Sequence, residues 1–148
     1  MITFSIQNLI GLIGNGSTRK VYRTDDPKYV VKEIIPNCKY NQNFVEWNIY
    51  KYAKQSQYGQ KIYAYLNPCI HMEHNYKYII APYCEPNKQK IPDSPFGSEV
   101  KYFWDYKTPE NWGISENGIK LIDYGYIGNI YVLKDIKEFK QLLKELYE

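Results

Sequence analysis

The stretch Asn111-Trp-Gly-Ile-Ser-Glu-Asn-Gly-Ile-Lys-Leu-Ile-Asp-Tyr-Gly125 predicts two short strands around a tight turn. Asn117-Gly118 is the strongest turn signal in the chain. A three-residue loop with Gly118 in the left-handed conformation would place Asn111 opposite Asp123, whereas a two-residue loop would place it opposite Tyr124. Either register brings an amide oxygen and a carboxylate to the open end of a hairpin, where Mg²⁺ would find oxygen ligands. The alternative is a surface hairpin whose Asn and Asp merely cap strand ends.

The length and the hydrophobic content predict one globular domain without a membrane span. The chain has 148 residues, of which 44% are hydrophobic. No apolar run approaches the roughly 18 residues that cross a bilayer. The N-terminal residues lack the basic region and the small-residue cleavage site of a secretion signal. Three widely spaced cysteines, an odd number, fit a reducing compartment, so we expect a cytoplasmic protein with no membrane partner.

Charge and residue usage bear on partners and on source. The net charge is +3 with both signs interspersed, so nucleic acid is not the expected partner. Seventeen tyrosines accompany many Lys, Asn and Ile residues. These residues have AT-rich codons, and this usage is compatible with a viral gene.

The first half of the chain carries a possible phosphate-binding loop. Gly14 and Gly16, one residue apart and followed by Ser17, would let backbone amides approach phosphate oxygens, although a plain β-turn is the commoner explanation. A strand resumes at Val21. The β-branched run from 28 to 35 predicts another strand with Lys32 in its middle, where an exposed lysine is the alternative.

A helix is predicted next, followed by further strands. Residues 41–55 have a broad apolar helical stripe whose face Glu46 shares, and Asn41 or Asn43 is available as the N-cap. That carboxylate would either face the sheet and need a cation or lie in solvent. Strands are predicted at 61–65 and 76–81, joined by a connection over 66–75, and an extended linker at 82–95.

The order of these features resembles the protein-kinase fold. Residues 13–21 resemble its glycine-rich loop, with Arg19 where the third glycine would stand. Val30-Val31-Lys32 resembles its strand lysine, and Glu46 resembles its helix glutamate. Residues 79–85, including Tyr83, resemble its hinge. Residues 105–111 resemble its catalytic loop, and Asp123-Tyr124-Gly125 resembles its metal-binding motif.

The resemblance implies a role for each matching residue. ATP would be held by the loop (Gly14, Gly16, Ser17, Val21), by Lys32 with Glu46, and by Tyr83. Mg²⁺ would be held by Asn111 and Asp123. Asp105 would orient the acceptor hydroxyl, with Lys107 near the γ-phosphate and Lys32 on the α- and β-phosphates.

Two departures from the kinase pattern keep a second function open. Asp105 and Asn111 are six positions apart, one more than in the family motif, and Phe103-Trp104 stand where His-Arg would be. Only 23 residues follow Gly125, including one helix for which Asp135 is the predicted cap. A small second lobe suits a pseudokinase-like protein that binds a protein partner, whereas the matching polar residues suit an ATP- and Mg²⁺-dependent phosphotransferase acting on a protein.

The predicted architecture is therefore α+β. One domain (1–148) would comprise an N-lobe-like part (1–85), an antiparallel sheet with one helix, and a strongly reduced C-lobe (86–148) with the hairpin and the C-terminal helix. A module unrelated to kinases is a third interpretation. The sequence leaves the acceptor and the oligomeric state open.

Overall fold

The computed structural model describes residues 9–16, 18–87 and 105–147. It has an α+β architecture, with an antiparallel five-stranded sheet in the order β1-β2-β3-β5-β4 and a three-stranded sheet β6-β7-β8. The strands are β1 (Leu9–Asn15), β2 (Arg19–Thr24), β3 (Tyr29–Ile34), β4 (His71–Glu73), β5 (Tyr78–Pro82), β6 (Glu85–Pro86), β7 (Trp112–Ser115) and β8 (Gly118–Leu121). Of the predicted site residues, Ser17 lies outside the described residues.

The helices are short except for one that carries site residues. They are α1 (Gln42–Ala53), α2 (Gln60–Tyr63) and α3 (Phe139–Tyr147), with 3-10 segments at Asp105–Lys107, Pro109–Asn111 and Ile127–Leu133. Asn41 caps α1, as predicted, because its side chain accepts a hydrogen bond from the Phe44 amide at 3.0 Å. Among the described residues, no helix has both the length and the apolar character needed to span a bilayer.

The hydrophobic core lies where α1 packs against the five-stranded sheet and the 3-10 segment Ile127–Leu133. Val45, Ile49 and Ala53 of α1 are fully buried there. Because these positions lie on one face of the helix, the carboxylate of Glu46 on the adjoining face is also carried into the interior. The core packing thus fixes the depth at which Glu46 sits.

Two predicted elements around residue 65 are wrong. The strand expected at 61–65 is the helix α2, whose first turn is closed by a hydrogen bond from the Tyr63 amide to the Gly59 carbonyl. A short apolar run fits either structure, and here burial of Ile62 in the core favours the helix. β5 pairs with β3 on one side and on the other with β4, which lies in the predicted connection.

The predicted linker at 82–95 is also partly wrong. Glu85–Pro86 forms β6 and pairs with Gly113 and Ile114 of β7. The proposed division of the chain after residue 85 therefore falls inside a strand. The remainder of the predicted linker, from residue 88, lies outside the described residues.

The hairpin forms as predicted, but its register differs from both expected registers. Ser115 pairs with Gly118 and Trp112 with Leu121, so Asn111 lies opposite Ile122, and the Ile122 amide donates to the Asn111 carbonyl at 2.7 Å. The reason is that Gly118 takes a φ of +100° and still belongs to the paired strand.

The C-terminal helix begins later than predicted. Asp135 does not cap α3, because its carboxylate accepts hydrogen bonds from the Ser56 hydroxyl at 2.6 Å and from the Gln57 amide at 2.8 Å. The chain then enters α3 only at Phe139. Asp135 instead ties the end of the chain to the segment that follows α1.

Candidate functional site

A cavity of about 420 Å³ lies between the β1–β2 loop, β3 and the end of β8. Its volume falls in the range of small-molecule pockets. The wall that faces α1 carries charged and polar groups, namely Arg19, Lys32, Gln42 and Asp123. Further lining residues include the apolar Ile13, Val21, Val30, Pro82, Cys84 and Ile122 and the polar Asn15, Thr18, Asn67 and Glu110. The cavity thus offers a polar part and an apolar part to one ligand.

The predicted pair of Lys32 and Glu46 is present at this cavity. The Lys32 ammonium lies 2.6 Å from Oε2 of Glu46 and donates to the Ile122 carbonyl at 2.5 Å. Both side chains are almost fully buried. Lys32 is therefore not an exposed strand lysine, and Glu46 faces the sheet instead of the solvent.

Arg19 enters the same cluster from the start of β2. Its Nη1 and Nη2 lie 3.0 and 3.1 Å from the two carboxylate oxygens of Glu46, a bidentate arrangement. Nη1 also donates to Oδ1 of Asn43 at 3.2 Å, and Nη2 lies 2.5 Å from Oδ1 of Asp123. Glu46 is thus shared by two cations, and Arg19 by two carboxylates.

The electrostatics of this cluster keep its members charged. Burial alone would raise the pKa of Glu46, but Arg19 and Lys32 outweigh it and lower the pKa to about 2. Burial alone would lower the pKa of Arg19, but Glu46 and Asp123 outweigh it and raise the pKa. Arg19 and Glu46 are therefore both charged at physiological pH and form a fixed ion pair.

The segment Asp123-Tyr124-Gly125 is held against α1. The Tyr124 amide donates to Oε1 of Glu46 at 2.9 Å. A Cβ atom on Gly125 would lie 2.5 Å from the carbonyl oxygen of Gln42, so a side chain at this position cannot be accommodated without a shift of the backbone. Glycine at 125 therefore permits the close approach that places Asp123 at the cavity.

Asp105 and Asn111 are joined through the two 3-10 segments that precede β7. The side-chain amide of Asn111 donates to the Asp105 carbonyl at 3.0 Å. The carboxylate of Asp105 accepts from Asn129 at 2.5 Å and from the Tyr126 amide at 3.4 Å. Lys107 is exposed. Within the described part of the chain, Glu110 lines the cavity, but Asp105, Lys107 and Asn111 do not.

The environment of Asp105 changes its acidity. Burial raises the pKa of this carboxyl group, and the negative charge of Asp123 adds to the effect, so that the pKa is about 6 despite the hydrogen bond from Asn129. A carboxylate whose pKa approaches neutrality is suited to accept a proton.

The loop and hinge residues predicted to hold a nucleotide mostly reach the cavity. Gly14 and Gly16 line the cavity at the β1–β2 loop, and Val21 and Tyr83 also line it. The Gly16 amide is engaged in the turn, since it donates to the Arg19 carbonyl at 2.9 Å. The Tyr83 ring lies 4.3 Å from the Arg23 guanidinium, a cation–π contact that holds the hinge against β2.

The described residues do not assemble the ligand set predicted for Mg²⁺. Oδ1 of Asp123 is taken by Arg19, and Gln42 donates to the same oxygen at 3.4 Å. Asn111 points its amide nitrogen at Asp105. Among residues 9–16, 18–87 and 105–147, no three His, Cys, Asp or Glu residues cluster as metal ligands would. The assignment of Mg²⁺ to Asn111 and Asp123 stays a prediction that this geometry does not favour.

Several residues of the site were missed by reasoning from the sequence. Arg19 was noticed only as a missing glycine. Asn43 is fully buried and donates to the carbonyls of Lys32, Tyr76 and Lys77 while it accepts from Arg19. The sequence indicated Asn43 only as a possible cap of α1, although its position three residues before Glu46, on the same helical face, could have signalled this role. For Asn129, nothing in the local sequence indicated the contact with Asp105.

Comparison with models of protein families gives no match, and comparison with curated proteins gives none either. The resemblance to protein kinases therefore rests on the residues described above.

Proposed function

We propose that this chain binds ATP in the cavity beneath the β1–β2 loop, as a protein-kinase-like nucleotide-binding protein. The observation that carries the proposal is the ion pair between Lys32 and Glu46 at the cavity wall. An ammonium group has three N–H donors. Among the described residues, Glu46 and the Ile122 carbonyl use two of them, which leaves one for a phosphate oxygen.

The two parts of the cavity match the two parts of a nucleotide. Phosphates would lie at Lys32 and Arg19, where Gly14 and Gly16 have no side chains to block a close approach. A flat, largely apolar base would lie between Val21, Val30 and the hinge residues Tyr83 and Cys84. The glycine loop would then cover the ligand from above.

Phosphotransferase activity is the first candidate for what this site does with ATP. The γ-phosphoryl group would pass to a hydroxyl of a protein acceptor, and Asp105 would orient that hydroxyl and accept its proton. The raised pKa of Asp105 supports this role. The resemblance also implies Mg²⁺, but Oδ1 of Asp123 is paired with Arg19 and the side-chain amide of Asn111 is bonded to Asp105, so these residues do not fit a metal ion as they stand. If the protein is cytoplasmic, both ATP and a protein acceptor would be available to it. A viral origin of the gene would be consistent with this location.

A pseudokinase-like protein that binds a partner without phosphotransfer is the second candidate. Its support is that Asp105 is engaged by Asn129 and the Tyr126 amide while Asp123 is paired with Arg19. Both carboxylates are thus occupied by groups of the chain itself.

Thermal unfolding with ATP tests nucleotide binding, and incubation with γ-labelled ATP tests transfer. A ligand that binds only the folded state raises its stability by RT ln(1 + [L]/Kd). We expect millimolar ATP to raise the Tm, and we expect label on the chain itself or on an added protein acceptor. No rise in Tm would refute nucleotide binding, whereas a rise without label on any acceptor would favour the pseudokinase-like candidate.

Asp105→Asn separates the chemical role of this residue from its structural one. We expect the variant to transfer no phosphate while its ATP affinity stays within about threefold of the wild type. Since the folded chain holds the Asp105 proton more tightly than the unfolded chain, the contribution of Asp105 to wild-type stability falls as the pH rises from about 3.8 to about 6. The side chain of Asp105→Asn does not titrate in this range. The Tm of the variant relative to that of the wild type should therefore rise as the pH increases from about 3.8 to about 6.

The control is Glu116→Gln, which removes an exposed carboxylate in the hairpin turn and should leave transfer and pH dependence unchanged. Transfer that persists in Asp105→Asn would refute the catalytic role. A Tm difference that stays constant with pH would refute the raised pKa.

A further inference from the structure

Arg19 is bound too fully to act as a mobile side chain. Among the described residues, Nη1 and Nη2 make four hydrogen bonds, to Asn43, to Asp123 and to both oxygens of Glu46. Asn43 is itself fixed by three backbone carbonyls. The side chain of Arg19 is 6% exposed. Its guanidinium is therefore a fixed positive charge in the cavity wall.

The charges of the cluster balance with these residues alone. Arg19 and Lys32 carry one positive charge each, and Glu46 and Asp123 carry one negative charge each. A site designed for a divalent cation has an excess of carboxylates. Here the carboxylate that the kinase resemblance assigns to the metal already has a cation at 2.5 Å.

A metal ion at Asp123 would lie beside this guanidinium. Metal–oxygen distances for Mg²⁺ are about 2.0–2.1 Å, so an ion on either oxygen of Asp123 would stand close to Arg19, and the two positive charges would repel each other. Moving Arg19 aside would take one of two cations from Glu46, leaving it with Lys32 and the Tyr124 amide, and would strand the Asn43 oxygen.

We propose that Arg19 takes the place of the metal ion, so that ATP binds this cavity without a divalent cation. The phosphates meet the fixed charges of Arg19 and Lys32, and Asp123 pairs with Arg19 instead of holding a metal. This inference rests on the proposed ATP binding and specifies the form of nucleotide that the site takes.

Calorimetric titration with ATP, in excess EDTA and in excess Mg²⁺, tests the inference on the unmodified chain. We expect the two Kd values to agree within about threefold. Wild-type binding that is at least about tenfold tighter with Mg²⁺ would overturn the inference while leaving ATP binding intact. Absence of binding under both conditions would refute the proposed function, and the inference with it.

Asp123→Asn adds a second test. ATP affinity should rise in this variant if Asp123 only pairs with Arg19, and it should fall if Asp123 holds a metal ion. The side chain of Asp123 is 45% exposed, so we expect the variant to fold. If Asp123 only pairs with Arg19, its loss removes a negative charge from the cavity, and ATP in EDTA should bind at least about threefold more tightly. If Asp123 holds metal, ATP with Mg²⁺ should bind more weakly, and that result would overturn the inference.

Glu116→Gln is the matched control, because it makes the same change of net charge on an exposed turn and should leave both Kd values unchanged. Arg19→Met gives a further arm. If it folds, Asp123 is released, and ATP binding should become tighter with Mg²⁺ than in EDTA. If it fails to fold, the wild-type and Asp123→Asn titrations decide the question.

Discussion

Glu46→Gln is expected to lower the free energy of unfolding by about 3–5 kcal/mol, because it leaves two buried cations without their shared carboxylate. A glutamine oxygen can still accept from the Tyr124 amide, but it cannot neutralise Arg19 and Lys32. Urea unfolding followed by tryptophan fluorescence measures the loss. A single domain of this size has a total stability of about 5–15 kcal/mol, so the variant should lie near the limit of folding.

The loss of stability in Glu46→Gln should depend on pH, because the Glu46 carboxylate titrates. The pKa of Glu46 is about 2 in the folded chain and about 4.5 in the unfolded chain, so its contribution is complete above about 4.5 and is lost as the pH falls towards about 2. We expect the difference in stability between wild type and Glu46→Gln to shrink over that window. Glu138→Gln, at an exposed position before α3, is the control. A loss no larger than that of the control would mean that the cluster does not stabilise the fold.

Lys32→Met should have the largest effect on ligand binding. The methionine fills a similar volume but offers no N–H donor and no charge to a phosphate. A hydrogen bond to a charged group contributes about 1.5–3 kcal/mol, so we expect ATP affinity to fall roughly 10- to 100-fold. Calorimetric titration with ATP measures this loss.

The fold should tolerate Lys32→Met better than Glu46→Gln. In Lys32→Met, Glu46 keeps its bidentate contact with Arg19, so the charge of Glu46 stays paired. We therefore expect a smaller loss of stability than for Glu46→Gln. Lys140→Met, on the exposed side of α3, controls for the loss of one positive charge. Unchanged ATP affinity in Lys32→Met would show that nucleotide does not contact this lysine.

Much of the framework could be predicted because its signals are local. The β-branched run around Lys32, the Asn41 cap and the apolar stripe of α1 are each contained within a short stretch of sequence, and the structure has β3 and α1 there. The 61–65 segment was assigned wrongly because the short apolar run at 62–65 does not distinguish a strand from a helical turn. Its structure was decided by the core into which Ile62 packs.

The site was predicted less well because its contacts join residues that lie far apart in the sequence. Arg19 is 27 residues from Glu46 and 104 residues from Asp123, and no local pattern indicates that these three side chains meet. The hairpin register depended on a single glycine conformation, which the Asn117-Gly118 signal left open. The ion pair of Lys32 and Glu46 was predictable only through the resemblance to kinases.

Titration of the isotope-labelled chain with ATP, followed by amide chemical shifts, is the most direct test that this cavity binds nucleotide. The account predicts that the largest shifts occur at the cavity wall, on Gly14, Gly16, Lys32, Cys84 and Asp123, and that they saturate together. Lys32→Met should require more ATP for the same shifts. Unchanged spectra at millimolar ATP, or shifts confined to another part of the chain such as α3, would contradict the account.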